Sequence, residues 1–291
     1  MPSNKLKYIF IGGCGRSGTT LVQKLLVLHS KITGNGEFDF LPHLMQVHAQ
    51  MIEPTYLKRQ SFFYSKEQLE AHWNEFIKVL LTSNIDTNQF EYISEKTPNN
   101  IFCAEQLLEL IPDSKFVYVY RDGRDVISSF KQVKKRAGEK GEQLQNSIKD
   151  WALMWNNASH NYLQLKKNRK FDNRHIGIRY EDLVNDPKNS LLLLMDFLEL
   201  PFEEHQLIHG TANKDPLSLK LDEVWYTSKM YNQDINTANI AKWKKDLTWS
   251  QKLAYQTIMA VRLKEYNYPV SSFYIKLHNL IRALSKKLSY K

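Results

Sequence analysis

Cysteine is nearly absent: Cys14 and Cys103 are the two in 291 residues, too few for a disulfide framework and not spaced as zinc ligands. Their scarcity fits a reducing compartment. No run of about 18 apolar residues exists, so no segment is expected to cross a bilayer as a helix. The start, Met1 to Lys7, leads straight into the first expected strand with no signal-peptide pattern, and a cytoplasmic protein is the default expectation. Internal repeats and low-complexity tracts are lacking, which argues against solenoids and disordered polar chains. His, Asp and Glu nowhere cluster at metal-ligand spacing, so no metal is expected. Acidic residues are in deficit, 31 against 40 Lys and Arg. The resulting formal charge of +9 favours polyanionic company: nucleotides, sulfated or acidic substrates, nucleic acid or a membrane surface. With 42% hydrophobic and 12% aromatic residues the chain can bury a sizeable core, and residues 1–291 read as a single domain.

One further absence falls inside a motif. In IFIGGCGRSGTTLVQKLLVLHS, Ile9 to Ser30, Gly13, Gly18 and Thr20 keep the G-x-x-x-x-G-K-[ST] spacing of a phosphate loop, but Thr19 stands where its lysine belongs. Residues 8–11 (YIFI) suit a buried strand, and residues 19–29 carry apolar positions at helical spacing. Strand, glycine-rich turn and helix thus follow in the order an anion site needs, with backbone N–H groups free to turn inward at the positive end of the helix. Gly15, Arg16, Ser17, Gly18, Thr19 and Thr20 are the candidate ligands. The lysine of such loops reaches β- and γ-phosphates, so its loss argues against ordinary ATP or GTP hydrolysis. The plainer alternative is a turn that merely joins a strand to a helix. Cys14 lies in the loop with no histidine nearby to activate it, which favours packing over a nucleophilic role.

Downstream, helical and strand patterns alternate. Helices are expected over 66–81, 99–110, 122–135, 145–165 and 188–198, and strands over 91–94, 115–120 and 175–180. This alternation predicts an α/β fold, a parallel central sheet flanked by helices. Ligands of such sheets bind beyond the carboxyl ends of the strands. Residues 137–142 (AGEKGE) are polar and expected to form a mobile loop, and 211–239 lacks periodicity, as functional or mobile stretches do. At one strand end, KFVYVYRDGRDVISSF places Arg121 at the turn and Ser129 two helical turns on. A guanidinium and a hydroxyl so placed can converge on a second phosphate. Alternatively, Arg121 pairs with Asp122 or Asp125 on a solvated face.

Together, GGCGRSGTTL and YRDGRDVISSF resemble the 5′-phosphosulfate and 3′-phosphate motifs of the sulfotransferases that use 3′-phosphoadenosine-5′-phosphosulfate (PAPS). The order of motifs, over residues 7–246, is most similar to the tyrosylprotein sulfotransferase branch. The resemblance implies a P-loop-like fold, PAPS as donor with PAP as its spent form, metal-independent in-line transfer to a hydroxyl or phenol, and Arg16 as the cation of the loop. It carries the catalytic base onto Glu37 in GNGEFDF, with Asp39 as rival. Lys96 in SEKTPNN falls on the lysine at the reacting sulfonate and leaving oxygen. Their plainer readings are loop carboxylates facing water and a Glu95–Lys96 salt bridge. Tyr180 matches a tyrosine near the nucleotide, or is simply a core residue. Lys242, in NQDINTANIAKWKKDL, takes the phosphate-contacting place in the segment that closes over the 3′ end, with Trp243 packing. A further basic residue of the family falls on Val133, which leaves Lys131 or Lys134 as its candidate substitutes. His43, His48 and His72 do not match the histidine base of other branches and read as structural or surface residues.

Three functions compete. They are sulfuryl transfer from PAPS to an unidentified acceptor (glycan, small molecule, lipid or peptide tyrosine), a P-loop nucleotide kinase with an atypical loop, and a non-catalytic basic protein that binds nucleotide or membrane. The kinase reading calls for Mg2+ and an acidic residue ending a buried strand, where KFVYVY is followed by Arg121. No nucleic-acid partner is expected. The tail, residues 271–291, has five cations, no acid and an amphipathic pattern. It is a candidate for peripheral membrane contact unless its apolar side packs on the domain.

Overall fold

The computed structural model describes residues 6–207, 224–225 and 234–288. β1 (Lys7–Gly13) is followed by α1 (Thr19–Val27), β2 (Ile32–Gly34), α2 (Leu41–Met51), α3 (Pro54–Arg59), α4 (Lys66–Thr82) and β3 (Tyr92–Lys96). Then come α5 (Ala104–Leu110), β4 (Ser114–Tyr120), α6 (Gly123–Glu139), α7 (Ile148–Leu165), β5 (His175–Arg179), α8 (Tyr180–Asn185) and α9 (Pro187–Leu198). After the stretch 208–233 lie α10 (Trp243–Asp246), α11 (Trp249–Glu265) and α12 (Ser272–Leu288).

The strands pair in parallel in the order β2-β3-β1-β4-β5. Side chains alternate along a strand, so Tyr8 and Phe10 of β1 enter one core while Ile9 and Ile11 enter the other. The first core is closed by α2, α4, α5, α6, α7 and α11 through Leu41, Ile77, Leu107, Phe130, Trp151 and Met259. The second is closed by α1, α8 and α9 through Val22, Leu183 and Leu194. A parallel sheet covered on both faces needs apolar residues at nearly every strand position, which residues 8–11 and 116–119 supply.

Register sets the place of the site. Ile11 lies opposite Lys96 on β3, and Gly13 lies opposite Val119 on β4. The glycine-rich loop, Lys96 and Arg121 therefore leave the sheet at one edge, where chain order reverses about β1 and open α/β sheets bind ligands.

Several elements differ from expectation for local reasons. The helix expected over 99–110 is a 3-10 segment, Pro98–Cys103, followed by α5. Asn100 holds that segment tightly by donating to Ile11 O and to Glu95. α6 runs on to Glu139, taking in half of the loop expected over 137–142, because Ala137 is buried against Val133 and Val224. The aperiodic stretch 211–239 lies largely outside the described residues.

Candidate active site

Residues 14–18 turn tightly between β1 and α1. Ser17 N–H donates to Cys14 O at 3.1 Å, and Arg16 and Gly18 take left-handed φ values of 71° and 101°. Only glycine suits position 18, since a Cβ there would also lie 2.6 Å from Cδ2 of Tyr180. Gly18 is the N-cap of α1 and makes no side-chain cap hydrogen bond, an arrangement that suits an anion at that helix end. Gly15, Arg16, Gly18, Thr19 and Thr20 line a cleft of about 1030 Å³. Ser17 is buried, and its Oγ has no hydrogen-bond partner among the described residues. Cys14 packs in the core, where burial pushes its thiol up and keeps it protonated.

Arg121 joins this loop to the chain's later segments. Its Nη1 donates to Arg16 O at 3.2 Å and its Nη2 to Asn239 O at 2.6 Å, while the guanidinium lies 4.4 Å over the Tyr180 ring. Its Nε is buried with no partner among the described residues. Trp155 Nε1 donates to Arg121 O at 3.0 Å and fixes the strand end. The acids that the alternative reading pairs with Arg121 hold other hydrogen bonds. Asp122 pairs with Arg124 at 2.6 Å, and Asp125 accepts the backbone N–H groups of Ala241 and Trp243 at 2.8 and 2.9 Å.

Ser129 lines the same cleft and accepts from Arg16 Nε at 3.2 Å, while Arg16 Nη1 donates to Trp225 O at 2.9 Å. The loop arginine thus reaches across to α6. Lys242 stands exposed on the rim, and Trp243 stacks under Arg124 at 4.2 Å. Neither candidate substitute at Val133 enters the cleft: Lys131 Nζ donates to Asp246 O at 2.6 Å, and Lys134 faces solvent. Arg136 lines it instead, donating from Nε to Val224 O at 2.9 Å with a buried, unpartnered Nη2 among the described residues.

The wall beyond the loop carries Glu37 and Asp39. Lys96, its side chain only 4% exposed, forms an ion pair with Glu37, not with the neighbouring Glu95. Asp39 is held above the usual carboxylate range by burial and by the Glu37 charge, with Lys96 opposing. Glu95 is buried and accepts from Phe38 N–H at 3.0 Å, Thr97 Oγ1 at 2.7 Å and Asn100 Nδ2. Burial pushes its carboxyl up to about 7 against those three bonds. It therefore fastens the backbone beside Glu37 to the end of β3.

None of the three singled-out histidines lines the cleft. His48 packs against Trp73, with ring centroids 5.5 Å apart, and burial lowers its pKa; His43 lies beside Phe40, and His72 is exposed. Among the described residues no group of three or more His, Cys, Asp or Glu is placed to hold a metal ion. Sequence reading missed Glu95 as an anchor, Asp125 as the clasp of 241–243, and Arg136 and Trp225 as lining residues. Only Asp125 left a signal, as the second acid of RDGRD.

A sequence model of the sulfotransferase family matches residues 8–204. The chain is 24% identical over 243 residues to the protein-tyrosine sulfotransferase of Drosophila melanogaster, covering 83% of this chain and 48% of that one. It thus spans about half the length of that relative. Among solved structures, the sulfotransferase domain from the curacin biosynthetic pathway has a TM-score of 0.63 at 24% identity, covering 91% of this chain and 99% of that chain. Mouse sulfotransferase SULT7A1, solved in complex with PAP, has a TM-score of 0.54 at 12% identity, covering 94% and 88%. These likenesses show the fold, a P-loop-like sulfotransferase fold. Since the family match runs from β1 past α9 and takes in the loop, Glu37, Lys96, Arg121 and Ser129, the chain belongs to the sulfotransferase family.

Proposed function

We propose that the chain transfers a sulfuryl group from PAPS to an acceptor hydroxyl, and that a tyrosine phenol is the first acceptor class to test. The observation that carries this reading is Glu37, ion-paired to the buried Lys96, opening on the same cleft as a phosphate loop with threonine in place of its lysine. The residues present fit a nucleotide with an anion at each end. Ser17 Oγ, Arg121 Nε and Arg136 Nη2 are buried donors without partners among the described residues, and the first turn of α1 has no side-chain cap. Gly15, Arg16, Ser17, Gly18, Thr19 and Thr20 would hold the 5′ end. Arg121, Ser129 and Lys242 would hold the 3′-phosphate beside Tyr180. The phenol class is suggested by relatives such as the protein-tyrosine sulfotransferase of Drosophila melanogaster.

Bound PAPS supplies a sulfuryl group whose bond to the 5′-phosphate oxygen is replaced by one to the acceptor oxygen. Glu37 takes the acceptor's proton, a role that contributes about 10²–10⁴-fold in rate. Lys96 holds that carboxylate in an ion pair and would bring a cation toward the oxygen that gains negative charge as the sulfuryl group leaves. Incubation with labelled PAPS and a tyrosine peptide in excess chelator tests the reading. Labelled sulfate on the peptide is expected; an absolute need for Mg2+ with transfer from ATP instead would replace it with the kinase reading.

A further inference from the structure

The carboxyl-terminal helix is only half used by the fold. Tyr274, Ile275, Leu277 and His278 are partly buried along α11, and His278 Nδ1 is bonded to Thr257 O at 2.9 Å. Beyond them residues 279–285 of α12 are exposed. Phe273, Leu280, Ile281 and Leu284 are each at least 50% exposed. With Leu277 they recur at helical spacing as one apolar stripe, a face that a surface helix ordinarily turns toward the core. Lys276 and Arg282 lie on either side of that stripe, both exposed. The sequence adds Lys286, Lys287 and Lys291, and no Asp or Glu follows Glu265.

We infer that α12 docks this protein on an anionic lipid surface, the Phe273–Leu284 stripe entering the acyl boundary and the flanking cations meeting the headgroups. Charge complementarity selects this occupant. A cationic rim without one acid repels a second copy of itself, and a water-exposed apolar stripe bordered by Lys and Arg is the pattern of helices that lie in the membrane interface. Among the described residues no helix is long and apolar enough to cross a bilayer, so the contact is peripheral. No residue of α12 lines the cleft, so docking leaves the nucleotide site free. The inference stands apart from the sulfuryl-transfer reading and is tested without it.

Flotation of the full chain with vesicles of phosphatidylcholine, with and without phosphatidylserine, is the direct experiment. Binding to the phosphatidylserine vesicles alone is expected, falling roughly fivefold for each cation removed and at least tenfold in Leu280→Ser/Leu284→Ser. Both leucines are more than half exposed, so the variant is expected to keep its fold, and unchanged melting and circular dichroism verify that. Lys276→Glu/Arg282→Glu is expected to abolish flotation with the stripe intact. Failure of the parent chain to float, or equal flotation with both vesicle types, overturns the inference. So does a concentration-dependent dimer that Leu280→Ser/Leu284→Ser renders monomeric, which would assign the stripe to a second copy.

Discussion

At the residue scale, two acids on adjoining segments have different tasks. Glu37 opens on the cleft and contacts Lys96, whereas Glu95 accepts three hydrogen bonds, one of which holds the backbone at Phe38. Glu37→Gln keeps the shape and leaves PAP affinity nearly unchanged while turnover falls about 10²-fold or more. Asp39→Asn, read beside it, shows which of the two carboxylates is the base. Glu95→Ala lets the loop loosen: amide exchange at Phe38 accelerates and turnover drops, with PAP binding preserved, whereas Glu95→Gln keeps an acceptor for Phe38 and restores both. A pH series separates the roles further. The Glu95 carboxyl titrates near 7 in the fold against an ordinary value of 4.5, so between those values the native state holds a proton that the unfolded chain lacks. This residue's contribution to stability is therefore present below about 4.5 and lost as pH rises through 7. Thermal melts of parent and Glu95→Gln should differ in slope over that window; parallel melts would show that Glu95 does not titrate there.

Among the elements, α6 governs the anion end of the site. Its first residue, Gly123, sits so close to α7 and α11 that a Cβ would meet Met259 Sδ at 2.6 Å and Trp155 Cδ2 at 2.7 Å. Gly123→Ala is expected to cost about 1–3 kcal/mol through overpacking and to weaken PAP binding, because α6 carries Ser129 and Arg136. A lowered melting temperature with unaltered PAP affinity would show that the helix shifts without moving them. Strong local patterns made much of this layer legible: β1, β4, α4, α7 and α9 fall within a few residues of expectation. Other elements escaped because their causes are tertiary. β2 has only three residues, too few for a period, and the 98–103 segment is shaped by Asn100 reaching Glu95 and β1. α11 did carry a signal, the Thr248–Gln251 capping box, in a stretch of weak apolar periodicity.

For the whole molecule, the site is an edge of the sheet assembled from segments far apart in sequence. The phosphate motifs were legible because their chemistry is local. The bonds between them were not: Arg16 to Ser129 spans 113 positions, and Arg121 to Asn239 spans 118. Nor did spacing along α6 reveal Arg136, since only the buried Val133–Ala137–Val224 contact fixes which cation of that helix turns into the cleft. Two-ended anion recognition is the consequence of that assembly. Calorimetry with PAP and with AMP, which lacks the 3′-phosphate, measures it directly. We predict a preference for PAP of about 100-fold or more, as two charge-assisted contacts of roughly 1.5 kcal/mol each would give, and its collapse in Arg121→Ala. Equal affinity for the two nucleotides would contradict a 3′-phosphate site at Arg121 and Ser129.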